Sequence, residues 1–99
     1  MVVSVTEEDI RRGKPLESCG CPIARALLRK GHRVRVHQRQ VIFFSPAGEV
    51  SRIAGLPSKA TTWIEDFDTG GRVEAFSFAL SRFICFRMPF EFEREYDPE

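Results

Sequence analysis

A small α+β domain of two layers is what this chain predicts, with an antiparallel sheet covered by two or three short helices. Three observations carry that expectation. Residues 33 to 53 hold three short apolar or alternating segments separated by turn formers, the pattern of a three-stranded meander. Two stretches, one opening at Pro22 and one leading into Trp63, place apolar side chains on a single helical stripe each. The last quarter sets Phe76, Phe78, Leu80, Ile84, Phe86, Met88, Phe90 and Phe92 on even positions, interrupted only by Arg82, and a period of two means strand. Such a phenylalanine-rich ribbon is either one bent strand or two folded about Ser81 and Arg82. Helices with one apolar stripe and a sheet with one apolar face bury those surfaces on each other, which gives the two layers.

In chain order, Val2-Val3-Ser4-Val5 reads as a short strand. Thr6-Glu7-Glu8-Asp9 resembles a capping box, opening a helix to about Arg12 that Gly13 ends. After a loop to Gly20, Pro22 suits a first helical position because the amide it lacks has no partner there. The helix that follows lines up Ile23, Ala26 and Leu27 and stops at Gly31. Arg33–His37, Val41–Phe44 and Glu49–Ile53 are the meander strands, joined at Gln38-Arg39-Gln40 and Ser45-Pro46-Ala47-Gly48. Ala60, Trp63, Ile64 and Phe67 share the face of a further helix, closed by Asp68-Thr69-Gly70-Gly71. The ribbon follows, and residues from about 95 to 99 read as a frayed end of one domain spanning 1–99.

Composition narrows the function classes. With 42% hydrophobic and 29% charged residues the chain is ordinary for a globular protein. Nothing in it approaches the roughly 20 apolar residues of a membrane span, so no membrane partner is expected. Three cysteines and no visible signal peptide point to a reducing, cytoplasmic setting. The formal charge of +1 hides an asymmetry: residues 1–50 hold nine Lys/Arg against five Asp/Glu, whereas residues 51–99 hold six against nine. The basic excess gathers at Arg25, Arg29, Arg33, Arg35 and Arg39, and the acidic one at Glu91, Glu93, Glu95, Asp97 and Glu99.

Candidate chemistry is thin. Cys19, Cys21, His32 and His37 supply the ligand types of a zinc site, but one residue separates the cysteines where two to four are usual. The histidines, five apart on an extended strand, point to opposite faces. Cys21 at a helix start would be favoured as a thiolate, with His32 or His37 as its base, yet no orienting third residue or oxyanion motif is recognisable. Asp66-Phe67-Asp68-Thr69-Gly70-Gly71 begins like a calcium loop and fails at its twelfth position, Ser77, where a glutamate is needed. No cofactor and no catalytic residue are therefore expected. The run from Arg25 to Arg39 offers a positive patch for nucleic acid, with Arg33, Arg35 and His37 on one strand face, although it lacks the aromatic residues that stack bases.

One resemblance spans most of residues 2–80. The opening Val5-Thr6-Glu7-Glu8-Asp9-Ile10-Arg11-Arg12-Gly13, then Cys21-Pro22-Ile23-Ala24-Arg25-Ala26-Leu27, Leu56-Pro57, Trp63-Ile64-Glu65-Asp66-Phe67-Asp68-Thr69-Gly70 and Phe76-Ser77-Phe78 resemble an uncharacterised family of small proteins encoded by bacteria and their phages. The chain departs from it at Ala75, where the family has proline, and the segment from Arg82 onward looks like an addition. The resemblance implies no enzyme activity. It implies an accessory protein that binds and blocks a host protein or complex, one of defence or of gene expression.

The expectation is thus a non-enzymatic protein-interaction module. Its contact residues would lie on the exposed side of the ribbon, Phe83, Arg87, Phe90 and Phe92, with the acidic Glu91, Glu93 and Glu95. A homodimer through the ribbon edge is compatible with this. The second reading is a nucleic-acid-binding module using Arg25, Arg29, Arg33, Arg35 and Arg39.

Overall fold

A computed structural model of the chain describes residues 1–37 and 39–85. The elements are β1 (Val2–Val5), α1 (Glu7–Arg12), α2 (Pro22–Arg29), β2 (Arg33–Val36), β3 (Gln40–Phe44), β4 (Val50–Gly55), α3 (Ser58–Asp68), β5 (Phe76–Ala79) and β6 (Phe83–Cys85). The α+β class and the β2–β3–β4 meander form as the sequence predicts. The ribbon does not join that meander as one piece. Its first half, β5, pairs antiparallel with β1 in a separate two-stranded sheet, and its second half, β6, adds beside β4 to make a four-stranded sheet in the order β2-β3-β4-β6. The chain changes sheets at Leu80-Ser81-Arg82, where Leu80 is fully buried and its amide and carbonyl pair with Met1.

One core lies between the sheets. α2 packs on both β1 and β2 and so bridges them. Its Ile23, Ala24, Ala26 and Leu27 are buried against Val3 and Val5 of one sheet and Val36 and Val41 of the other within one apolar cluster. α3 contributes Ala60, Ile64 and Phe67 to that cluster. Trp63 stacks on Phe76 with ring centres 4.6 Å apart, and its indole N–H donates to the Glu74 carbonyl at 2.9 Å.

The first turn of α1 closes as a capping box. The Asp9 amide donates to Thr6 Oγ1 at 3.2 Å, and the Thr6 amide donates back to Asp9 Oδ2 at 3.0 Å. Gly13 ends the helix, donating to the Asp9 carbonyl at 2.8 Å. A Cβ there would lie 2.7 Å from both that oxygen and the Pro22 ring, so only glycine lets α2 begin this close to α1. Gly31, at φ 95°, turns the chain out of α2 in the left-handed region that side chains avoid.

Asp9 is 2% exposed, the one buried charged residue among those described. Arg29 Nη1 donates to its two carboxylate oxygens at 2.7 and 2.8 Å, and Arg29 Nη2 donates to the Ser4 carbonyl at 2.9 Å. Lys30 Nζ donates to the Val2 carbonyl at 2.9 Å. Two side chains from the end of α2 thereby satisfy the edge of β1 that β5 does not occupy. Burial alone would raise the Asp9 carboxyl, but hydrogen bonds from Arg29 and Thr6 outweigh it and hold the group below its ordinary 3.8.

Replacing Asp9 with Asn strands Arg29 and removes a charge-assisted hydrogen-bond pair. We expect a loss of about 2–3 kcal/mol of unfolding free energy at neutral pH, scaled down from a fully buried pair because Arg29 is half exposed. A carboxyl whose folded value is depressed stabilises the fold above its unfolded value and loses that contribution as pH falls through the folded one. The difference between wild type and Asp9→Asn in urea unfolding should therefore be full above 3.8 and shrink below it. A difference that stays constant into acid would remove the charge from the account.

Candidate interaction surface

Register decides what each face of the four-stranded sheet presents. Val36 opposes Val41, Val41 opposes Ala54 and Ala54 opposes Phe83, so these four side chains share one face. Val34, Phe43 and Arg52 form the adjacent row of the same face. Val36, Val41, Phe43 and Ala54 are buried, which makes this the core side. Phe83 belongs to it. The phenyl ring is half-buried, packs against the core and lies 5.9 Å from Phe43, with the Arg52 guanidinium 4.4 Å from the Phe43 ring centre and 4.7 Å from that of Phe83. The placement of Phe83 on an exposed contact side is corrected accordingly: Ile84, 65% exposed, is the residue of β6 that faces outward.

The outer face carries its own apolar row. Arg35 opposes Ile42, Ile42 opposes Ile53 and Ile53 opposes Ile84, crossing all four strands over about 14 Å at the usual strand spacing. Beside it Arg33 opposes Phe44, and Phe44 opposes Val50 across a register shift. Ile42, Phe44 and Ile53 are half-buried but stand outside the core cluster and outside the residues packed on it. No described helix covers them. A solvated sheet face ordinarily alternates polar residues into these positions.

The remaining predicted residues divide as follows. Arg87, Phe90, Phe92, Glu91, Glu93 and Glu95 lie outside the described residues. Arg33 and Arg35 are exposed on the outer face, where the Arg35 guanidinium lies 5.7 Å from the Phe44 ring centre, and Arg39 is exposed in the turn beyond β2. Arg25 and Arg29 are drawn elsewhere, to Asp9, with Arg25 Nε 3.9 Å from its Oδ1. The five arginines are thus not brought together as one patch.

Nor do the cysteines and histidines converge. Cys21 and His37 line one cavity of about 180 Å³ with Glu17 and Asp68, whereas Cys19 is exposed beside β2 and His32 sits edge-on to Phe43 with ring centres 5.5 Å apart. Among the described residues no three His, Cys, Asp or Glu side chains are placed to hold a metal ion. Cys21 Sγ accepts the Ala24 amide at 3.4 Å as the cap of α2, and burial pushes the thiol above its ordinary 9.0. A thiol so placed is a packed cap, not an activated nucleophile. At the rim of the same cavity Leu16 adopts φ 63°, with its amide donating to Asp68 Oδ1 at 3.0 Å.

The outer row escapes single-strand reading because Ile42 sits in an unbroken apolar run and Ile53 in an alternating one. Only the cross-strand register aligns them with Ile84. No helix among the described residues is long and apolar enough to cross a membrane. No protein-family model, no curated protein and no solved structure matches the chain.

Two measurements follow from the site chemistry. Iodoacetamide at mildly alkaline pH should modify Cys19 in the native protein and leave Cys21 unmodified until denaturant is added, by peptide mass spectrometry; prompt modification of Cys21 would contradict its burial. Burial first, then the cations of Arg52 and Lys30, hold His32 below 6.5. A histidine depressed in the fold favours folding above its unfolded value and loses this as pH falls below 6.5. The melting temperature should therefore drop more between about pH 7 and pH 5 in wild type than in His32→Gln, and equal drops would reject the assignment.

Proposed function

We propose that this chain is a non-enzymatic protein-interaction module whose contact surface is the outer face of the β2-β3-β4-β6 sheet. The observation that carries the reading is the row Ile42, Ile53 and Ile84, flanked by Phe44 and Val50 and edged by Arg33 and Arg35. An apolar centre bordered by arginine and free of lysine and acid has the composition of an interface core. It also sits on a sheet whose far side is packed into the core, so binding there would cost little backbone ordering.

The narrower role, an accessory protein of phage type that inhibits a host defence or gene-expression complex, is supported by the motif resemblance across residues 2–80. The second reading, nucleic-acid binding, draws on Arg33, Arg35 and Arg39 without Arg25 and Arg29, whose guanidinium groups turn to Asp9.

Affinity capture from a bacterial lysate with and without nuclease, comparing wild type with Ile84→Asp and Ile53→Asp, tests the surface. We expect a protein retained by wild type to be lost on Ile84→Asp while thermal stability changes by less than about 0.5 kcal/mol, since Ile84 is 65% exposed. Equal capture by all three proteins would reject the outer face, and retention that vanishes with nuclease would favour nucleic acid.

A further inference from the structure

We propose that the cavity at the end of the four-stranded sheet, where the turn after α2 meets the β3–β4 turn, is a binding site for a phosphate monoester group, held by Arg52, His32 and Arg33. The site does not depend on the isoleucine row of the outer face. It has a volume of about 260 Å³, and its walls include Gly31 and His32 of the first turn, Arg33 of β2, Phe43 of β3, Pro46 of the second turn and Arg52 of β4. That is below the roughly 300 Å³ at which sites for drug-sized ligands begin, so it suits a head group rather than a whole cofactor. Arg52 is its fixed element. The guanidinium lies over two rings, 4.4 Å from the centre of Phe43 and 4.7 Å from that of Phe83. A phenyl ring attracts a cation but accepts no ordinary hydrogen bond, so these contacts set the position of the guanidinium without using its five N–H donors. A fork already held in place loses little further freedom on meeting an oxyanion.

His32 meets the same Phe43 ring edge-on, with ring centres 5.5 Å apart. Burial, then the like charges of Arg52 and Lys30, disfavour its protonation. Lys30 Nζ donates to the Val2 carbonyl, so it contributes charge to the cavity and not a contact. Glu49, the acid of the adjoining turn, is not among the residues that line the cavity. A bound dianion offsets the crowding of cations and lets His32 take up a proton, after which both ring nitrogens donate. The number of cations selects the ligand class. A carboxylate brings one charge and two oxygens, which Arg52 alone satisfies. A phosphate monoester brings roughly −1.5 to −2 charges at neutral pH and three acceptor oxygens, enough for Arg52, Arg33 and protonated His32 together. A nucleic-acid phosphodiester carries a single charge and lacks the third free oxygen.

The test follows the two histidines of the full chain by NMR, with His32 assigned through His32→Gln. Sulfate, which stays doubly charged from about pH 5 to about pH 8, stands in for the dianion, and sodium chloride at equal ionic strength controls for screening. Sulfate should raise the His32 midpoint by about one pH unit or more above its value in chloride, the size expected of a new opposite charge close by, and leave His37 where chloride leaves it. Arg52→Lys keeps the charge and loses the planar fork, and should weaken sulfate, read from amide shifts, by about tenfold or more. His32→Gln should weaken sulfate at about pH 6 and leave it unchanged at about pH 8, a pattern that a damaged fold would not give. Glycerol phosphate and a phosphoserine peptide then separate a free small molecule from a modified protein as the source of the group. Tighter binding of either than of the unphosphorylated peptide supports the site. Equal His32 midpoints in sulfate and chloride, an unresponsive Arg52→Lys, or a single-stranded oligonucleotide that binds more tightly than both monoesters would each overturn the proposal.

Discussion

A buried carboxylate, Asp9, fixes the relation of the first three elements, and the rest of the core is arranged around what it holds. Its backbone and side chain close α1 with Thr6, its oxygens clamp Arg29 of α2, and Arg29 passes the contact on to the Ser4 carbonyl of β1. Removing a carboxylate from water is costly unless hydrogen bonds replace those it loses. The Asp9 carboxylate receives three, one from the Thr6 amide and two from Arg29 Nη1. That satisfaction carries a functional consequence. An arginine committed in this way is less available to a partner, so two of the five arginines that read as one basic surface in the sequence serve the scaffold instead.

α2 extends the same constraint across the molecule. Held at its C-terminal end by Asp9 and capped at its start by Cys21, it presents an unbroken apolar face to both sheets. Two sheets covered by one short helix need further closure, and the α3 aromatic residues supply it through Trp63, stacked on Phe76 and, at 5.9 Å, on Phe67. The chain then crosses from one sheet to the other within three residues, 80–82, so strands adjacent in sequence end up serving different halves of the core.

Much of this is legible locally. The Thr6 to Asp9 box, Pro22 at a helix start, the stripe Ile23, Ala26 and Leu27, and the turns of the meander each depend on residues within one helical turn or hairpin of one another. The split of the ribbon is not. Period two identifies strands but carries no partner information, and β1 lies more than seventy residues from β5 in the chain. For the same reason the arginine run reads as one patch: five cations without an acid between them look continuous until Asp9, 16 and 20 residues upstream of Arg25 and Arg29, takes two of them. Phe83 and Ile84 exchange roles because a strand's inward face is set by its neighbour's register, not by aromatic content.

That register also gives the outer row its meaning. Packing of Val36, Val41, Ala54 and Phe83 on the core side fixes how the four strands align, because a slip by one residue would turn each buried side chain into water. Once the inner face is aligned, positions 42, 53 and 84 oppose one another on the outside whatever residues occupy them. Threonine would serve the strand backbone as well as isoleucine does and would leave no apolar surface in solvent. Folding therefore accounts for the alignment of Ile42, Ile53 and Ile84 but not for their being apolar. An apolar choice made three times in one row, on the face that no described helix covers and beside two arginines that Asp9 does not engage, is the feature on which the proposed contact surface rests.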